Sequence, residues 1–224
     1  MNFLKEDFIF KNIKNLNGVG PKLSKYLKRK KIEKIKDIIL NLPYSQTDRS
    51  KINKLDELQI GKINTIRVQV KKLQFPRIRN LPNKILCKDE TGEIDVVYFN
   101  SREGYLRKIF PKDQWLIISG KVNYYQNKYQ ITNPEYVTKI EDKNYVLRKI
   151  PKYNLTEGIN EKKYRNICEQ VTENIPQIED WLSENFIKKN DMLNWNSSIS
   201  KLHKTNDSKN YKSKSFRRIV FDEI

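Results

Sequence analysis

NKILCKDETGEIDVVYFN, residues 83–100, reads as two short strands joined by a turn. KILC supplies the first strand, Asp89-Glu90-Thr91-Gly92 the turn chemistry, and Ile94–Phe99 the second strand. Upstream, Ile66, Val68 and Val70 alternate with polar residues, which adds a strand before the pair. Downstream, Ser101–Phe110 has helical spacing through Tyr105, Leu106 and Ile109. Trp115–Val122 is a strongly apolar strand with Gly120 near its end. Tyr124–Tyr129 reads as a hairpin, and Tyr129–Thr132 as the returning strand. Five strands with one helix between the third and fourth is the order of a five-stranded Greek-key barrel, the OB-fold, which binds single-stranded nucleic acid on an open face. Five short strands also fit an SH3-like barrel; the intervening helix favours the OB order.

Helical patterns flank this region. Residues 8–42 are expected to be helical, with Ile32, Ile35, Ile38, Ile39 and Leu42 forming one apolar stripe opposite the lysines. Pro43 stops that run, and LPYSQTDRS reads as a loop. LNGVGPKLSKYL, residues 16–27, carries a second signal. Gly18 and Gly20 permit a tight turn of positive φ around Val19, and Pro21 suits a first helical position. Such a turn sits on the positive end of a helix and can hold an anion, with Lys22 and Lys25 following. This is the layout of a helix-hairpin-helix; the plainer alternative is a turn that uses glycine for geometry alone. Beyond Pro151, Glu161–Val171 and Glu179–Lys188 have helical spacing, residues 204–215 read as a polar linker, and Phe216–Ile224 starts another amphipathic helix. That last helix either packs back or opens something longer. The expected class is therefore α+β: a helical unit over residues 1–57, the barrel over 58–146, a helical connector over 147–203, and linker from 204 to 224.

Charge narrows the partner. The 224 residues carry a formal net charge of +18, and window 22–36 holds eight basic residues against the single acid Glu33. A polyanion is the natural ligand, and counterion release makes such a contact salt-sensitive. A membrane surface fits less well, because no lipidation signal accompanies the charge. No apolar run approaches the ~20 residues that span a bilayer, and the N-terminus lacks the core and cleavage site of a secretion signal. Cys87 and Cys168 match no metal spacing, so free thiols in a reducing cytosol are expected and no metal site is assigned. No G-x-x-x-x-G-K-[ST] occurs: Gly120-Lys121 is followed by Val122, and no acidic motif is placed to hold Mg²⁺ for phosphoryl transfer. The chain carries no catalytic motif and no cofactor of its own.

Six segments, in order, resemble one family. LNGVGPKLSKYL with DIILNLPYSQTDRS (37–50) resembles the opening of the RecG helicases. ILCKDETGEIDVVYFN (85–100) is similar to that family's third-strand region, and ISGKVNYYQNKYQITNPEYV (118–137) to its last hairpin. PKYNLTEGINEKKYRNI (151–167) resembles its connector, ISKLHK (199–204) its leucine-histidine turn, and FRRIVFDEI (216–224) the entry to its motor. The resemblance implies a wedge domain that splits strands at replication forks and Holliday junctions, in recombination and repair. It implies that the full-length protein is an ATP-dependent DNA helicase using ATP and Mg²⁺, in a bacterial cytoplasm. Residues 204–224 would then lead into a motor domain.

The same resemblance puts Tyr98 and Phe99 at the family's aromatic pair, where a ring stacks on an unpaired base; stacking is worth ~1–3 kcal/mol per base whatever the sequence. Ile94, Val96 and Tyr98 share one strand face, and Asp95, Val97 and Phe99 the other. The face with Asp95 is expected outward, which makes Phe99 the first stacking candidate; Tyr98 is either a core ring or a rim residue. Phe75 lies in the loop FPRIRNLPNK with Arg77, Arg79 and Lys84, a position from which OB loops reach ligand, or else it is one buried ring in a solvated loop. Gly18, Val19, Gly20, Lys22 and Lys25 are the phosphate candidates, while Lys28–Lys31 reads as a solvated basic face. His203 is expected to be structural, Trp115, Trp181 and Trp195 to be core, and Arg217 and Arg218 to hold a domain junction. Forked DNA bound by a monomer is the expected complex. Alternatives are a protein-interaction module for single-strand-binding protein, whose acidic tail would suit the basic surface, and a general single-stranded DNA or RNA binder.

Overall fold

Lys31 breaks the helical run expected over residues 8–42. In the computed structural model, which describes residues 8–78, 81–204 and 212–223, a short 3₁₀ turn (Ile13–Asn15) precedes helix α1 (Pro21–Arg29). Lys31 then takes a left-handed φ of 60°. The Lys31 N–H bonds Lys28 O, and the Ile32 N–H bonds Leu27 O at 3.1 Å, a Schellman closure that satisfies the terminal carbonyls. Ile32 still reaches the core, so the apolar stripe survives although the helix does not. Helix α2 (Ile35–Leu40) restarts after Asp37 accepts the N–H groups of Glu33 and Lys34. The loop expected over LPYSQTDRS contains a strand, β1 (Ser45–Asp48).

Asp48–Lys149 form one of two compact units. It holds β2 (Ile52–Asn53), β3 (Ile63–Gln74), β4 (Asn83–Lys88), β5 (Glu93–Tyr98), helix α3 (Glu103–Ile109), β6 (Trp115–Tyr125), β7 (Lys128–Thr132) and β8 (Tyr136–Lys139). Strands β3, β4, β5, β7 and β6 pair in that order, and β6 pairs back on β3, closing the ring. All these ladders are antiparallel except β5–β7, which runs parallel with Asp95 beside Gln130. That connectivity is the OB barrel, so the sequence expectation of fold holds. Its interior is the alternate residues: Ile66, Val68, Val70, Ile85, Ile94, Val96, Leu116, Ile118, Val122 and Ile131 are buried. Helix α3 places Leu106, with Phe110 just after it, in this core. Gly120 is needed where β6 passes β7, because a Cβ there would lie 2.6 Å from Ile131 Cγ2. β2 and β8 extend the sheet to seven strands; too short to show alternation, they escaped the sequence pattern. Arg49 is buried, and its guanidinium bonds Ser119 Oγ at 2.6 Å, pairs with Glu135 and lies 5.0 Å from the Tyr136 ring centre.

The other unit joins residues 1–47 to 150–224. It contains β9 (Lys149–Lys152, paired with β1) and helices α4 (Glu161–Glu173), α5 (Glu184–Lys189), α6 (Trp195–Lys204) and α7 (Lys214–Glu223). The N-terminal helices and the connector thus share one core, in which Leu27, Ile35, Ile38 and Ile39 pack with Tyr164, Ile167, Val171, Ile199 and Leu202. They divide in sequence but not in space, because each alone has only one apolar stripe to bury. His203 is buried: Nε2 lies 2.8 Å from Ile39 O and Nδ1 3.0 Å from the Tyr153 hydroxyl, and burial lowers its pKa. Trp195 packs on the core as expected. Trp181 does not; it is exposed and stacks on Phe221 at 6.0 Å. Trp115 is also at the surface, with the Arg67 guanidinium 4.9 Å from its ring centre.

Candidate nucleic-acid interface

β5 delivers two neighbouring rings to opposite environments. Tyr98, on the face of Ile94 and Val96, is 8% exposed and meets Phe110 edge-on at 5.8 Å. Burial pushes its hydroxyl well above the usual tyrosine range. The stacking role expected for Tyr98 is therefore corrected: its ring is core. Phe99, one residue on, emerges at the strand end and is 50% exposed. Its N–H bonds Asn133 Oδ1 at 3.3 Å, and Asn100 turns the chain with a φ of 58°, so the backbone that aims the ring is fixed.

The loop between β3 and β4 lies at the same barrel end, because Asn83 pairs with Tyr98. Asn83 Nδ2 also bonds Ser101 O at 2.8 Å, tying the loop base to the segment after Phe99. Together they line an open cleft of about 390 Å³ formed by Pro76, Arg77, Ile78, Leu81, Asn83, Phe99, Asn100 and Ser101. Phe99 and Arg77 are thus brought together. Phe75 is not presented in the cleft: it is half-buried against the barrel core with the Arg107 guanidinium 4.8 Å from its ring centre, which corrects the stacking expectation for it. Lys84 sits on β4, opposite Val97 and half-buried. Arg79 lies outside the described residues. The sequence reading missed Ile78, 70% exposed, Leu81, and Tyr105, 56% exposed on the first turn of α3. Their only signal was apolar character in or beside a polar loop, which pattern reading assigns to the interior.

In the other unit, Gly18 has a φ of +87°, as the turn required, but Gly20 has a φ of −80° and is the N-cap of α1. The expected positive φ at Gly20 is corrected. Val19 is buried in the helical core, so its side chain is structural. Its N–H bonds Leu16 O at 3.2 Å, and the Asn17 N–H bonds Gln170 Oε1 at 3.1 Å. Those amides are therefore engaged within the protein. Lys22 and Lys25 project from α1 into solvent. Lys163 on α4 adds a cation the sequence reading missed; its Cε lies 3.9 Å from where a Gly18 Cβ would stand.

What the barrel end can do follows from these groups: an exposed ring beside apolar side chains and a guanidinium can stack on a base and hold a phosphate. Among the described residues, no group of three or more His, Cys, Asp or Glu is placed to hold a metal ion, and no helix is long and apolar enough to cross a membrane.

This chain is similar in sequence and fold to known proteins. The RecG wedge domain profile matches residues 12–178. The ATP-dependent DNA helicase RecG of Thermotoga maritima is 30% identical over 189 residues, covering 81% of this chain and 24% of that protein. The Pasteurella multocida protein of the same name is 30% identical over 178 residues, covering 76% of this chain and 25% of its own length. A solved structure of RecG bound to a three-way DNA junction superposes with a TM-score of 0.78 at 25% identity, over 99% of this chain and 32% of that one. The chain spans about a quarter of the length of the curated relatives it matches.

Proposed function

This chain belongs to the RecG wedge domain family, and on that premise we propose that it binds branched DNA and keeps two melted strands apart. The observation that carries this reading is Phe99, held half-exposed at the barrel end in one cleft with Arg77 and the apolar tip residues Ile78 and Leu81. Phe99 stacks on the first unpaired base; Arg77 and Lys84 contact the backbone beside it; Lys22 and Lys25, at the helix after Gly18-Val19-Gly20, hold a phosphate elsewhere on the DNA. The solved RecG complex with a three-way junction supports branched DNA as the ligand. Phosphate contacts position the junction, and recognition is by shape rather than by base sequence. In the longer protein this unit would serve an ATP- and Mg²⁺-dependent motor, acting as a monomer in the bacterial cytoplasm.

The test compares a three-way fork with linear duplex. Phe99→Ala is expected to weaken fork binding by about 5- to 150-fold, the worth of one stacked base, and to leave duplex binding nearly unchanged. Equal losses on both substrates would remove the stacking role. Displacement of the fork by an acidic peptide, with no preference for fork over duplex, would favour a protein-interaction module instead.

A further inference from the structure

The β6–β7 hairpin carries chemistry that the Phe99 end does not use. Tyr124 pairs with Tyr129 and Tyr125 with Lys128, and the two strands are joined by Gln126 and Asn127 with φ of 49° and 59°. Two consecutive positive-φ residues are what a type I′ turn requires, and that turn matches the strand twist and holds the tip in one geometry. Tyr124 is 50% exposed and Tyr125 58%. Tyr124 is braced edge-on against Tyr129 at 5.3 Å. Tyr125 shares its side of the ribbon with the exposed Lys128 directly across and with Lys121 four residues back. Tyr124 points to the opposite face, with Tyr129; on the outer face an exposed ring on a fixed tip, with cations beside it, has the elements of a single-strand platform: a base stacks while phosphates meet positive charge.

The register gives its distance from the first site. Gln130 lies beside Asp95 on the parallel β5 strand, so the Tyr125–Lys128 pair is level with Glu93, six residues before Phe99. At ~3.3 Å per residue this is about 20 Å along the barrel. A stacked strand with ~3.4 Å between nucleotides covers that span in about six nucleotides.

We propose that Tyr125, with Lys128 and Lys121, forms a second base-stacking site that takes the unpaired arm of a branched DNA about six nucleotides beyond the base at Phe99. This inference rests on the reading of the Phe99 end as the branch site. The test uses the 224-residue chain and two three-way junctions whose single-stranded arms are about three or about twelve nucleotides, either side of the calculated span. Tyr125→Ala should lose at least about fivefold in affinity for the long arm, the lower bound for one stacked base, and none for the short arm. Tyr125→Phe should retain long-arm binding, and Tyr125→Ala should keep the wild-type far-ultraviolet spectrum. Unchanged long-arm affinity in Tyr125→Ala, with Phe99→Ala still weakening both junctions, would overturn this inference and leave the branch reading standing. Failure of the unaltered chain to prefer either junction over duplex would overturn both. Displacement from the hairpin by an acidic peptide but not by the long arm would also count against a nucleic-acid site.

Discussion

Asp180→Asn cuts the ion network that fixes α7. The Arg218 side chain is fully buried; its two terminal nitrogens each bond an Asp180 oxygen at 2.7 Å, and Nε bonds both oxygens of Asp222 at 3.0 and 2.9 Å. Asp180 also accepts the N–H groups of Leu182 and Trp195. The Arg218 guanidinium, helped by those backbone donors, holds the Asp180 carboxyl down at about 2. Lowering a carboxyl that far is linked to ~2 kcal/mol of stability at neutral pH. Removing one partner of a buried pair costs ~3–5 kcal/mol, and because Asp222 remains, the lower end applies. For a chain of this size, ~3 kcal/mol lowers the melting temperature of the unit by about 6–12 °C. The folded pKa lies below the unfolded one, so the contribution is complete above about pH 5 and is lost as pH falls toward 2. Thermal melts of both proteins, followed by circular dichroism from pH 7 to pH 2.5, should show a gap that is widest at pH 7 and narrows below pH 5. A gap under about 2 °C at pH 7, or one constant across that range, would refute the assignment of Arg218 and Asp180 as the anchor.

Three further outcomes follow from the geometry. Lys22→Ala with Lys25→Ala should weaken fork and duplex binding alike and flatten the log–log salt slope by about 0.9 per lost contact; anisotropy titrations across salt check this, and an unchanged slope would remove the phosphate role. Gly120→Ala should cost ~1–3 kcal/mol by overpacking against Ile131 and Pro134, read as a lower urea midpoint at unchanged slope. Cys87 and Cys168 are both buried, with desolvation pushing each thiol up to about 12; neither should react with a thiol reagent at pH 8 until the chain is unfolded, and rapid labelling in the folded state would contradict their burial.

The barrel was legible because its strands obey the period of two. Ile66, Val68 and Val70 are buried as their alternation requires, and the helix between the third and fourth strands chose the topology. Parity also separated Phe99 from Tyr98. It failed where side chains break the in-or-out rule: Val97 is buried on the face assigned to solvent, while Ile78, Leu81, Tyr105 and Trp181 are exposed despite their apolar character. Phe75 shows the same limit, since nothing local announces that Arg107 will cover its ring.

At the glycine turn, Gly18-Val19-Gly20 before Pro21 dictated a helix start, because the proline suits only the first turn. Which glycine would take the left-handed region depended on where Val19 had to go to reach the core. Backbone chemistry and hydrophobic periodicity are local, and those the sequence by itself determined: the OB order of strands and helix, a basic helix opening at Pro21 and an aromatic pair at a strand end. Ring closure between β3 and β6, the merging of two distant helical segments into one core, and the burial of Arg218 against Asp180 join residues 38 or more apart in the chain. Such pairings are stabilised only when both partners leave water together, so the tertiary structure alone decided them.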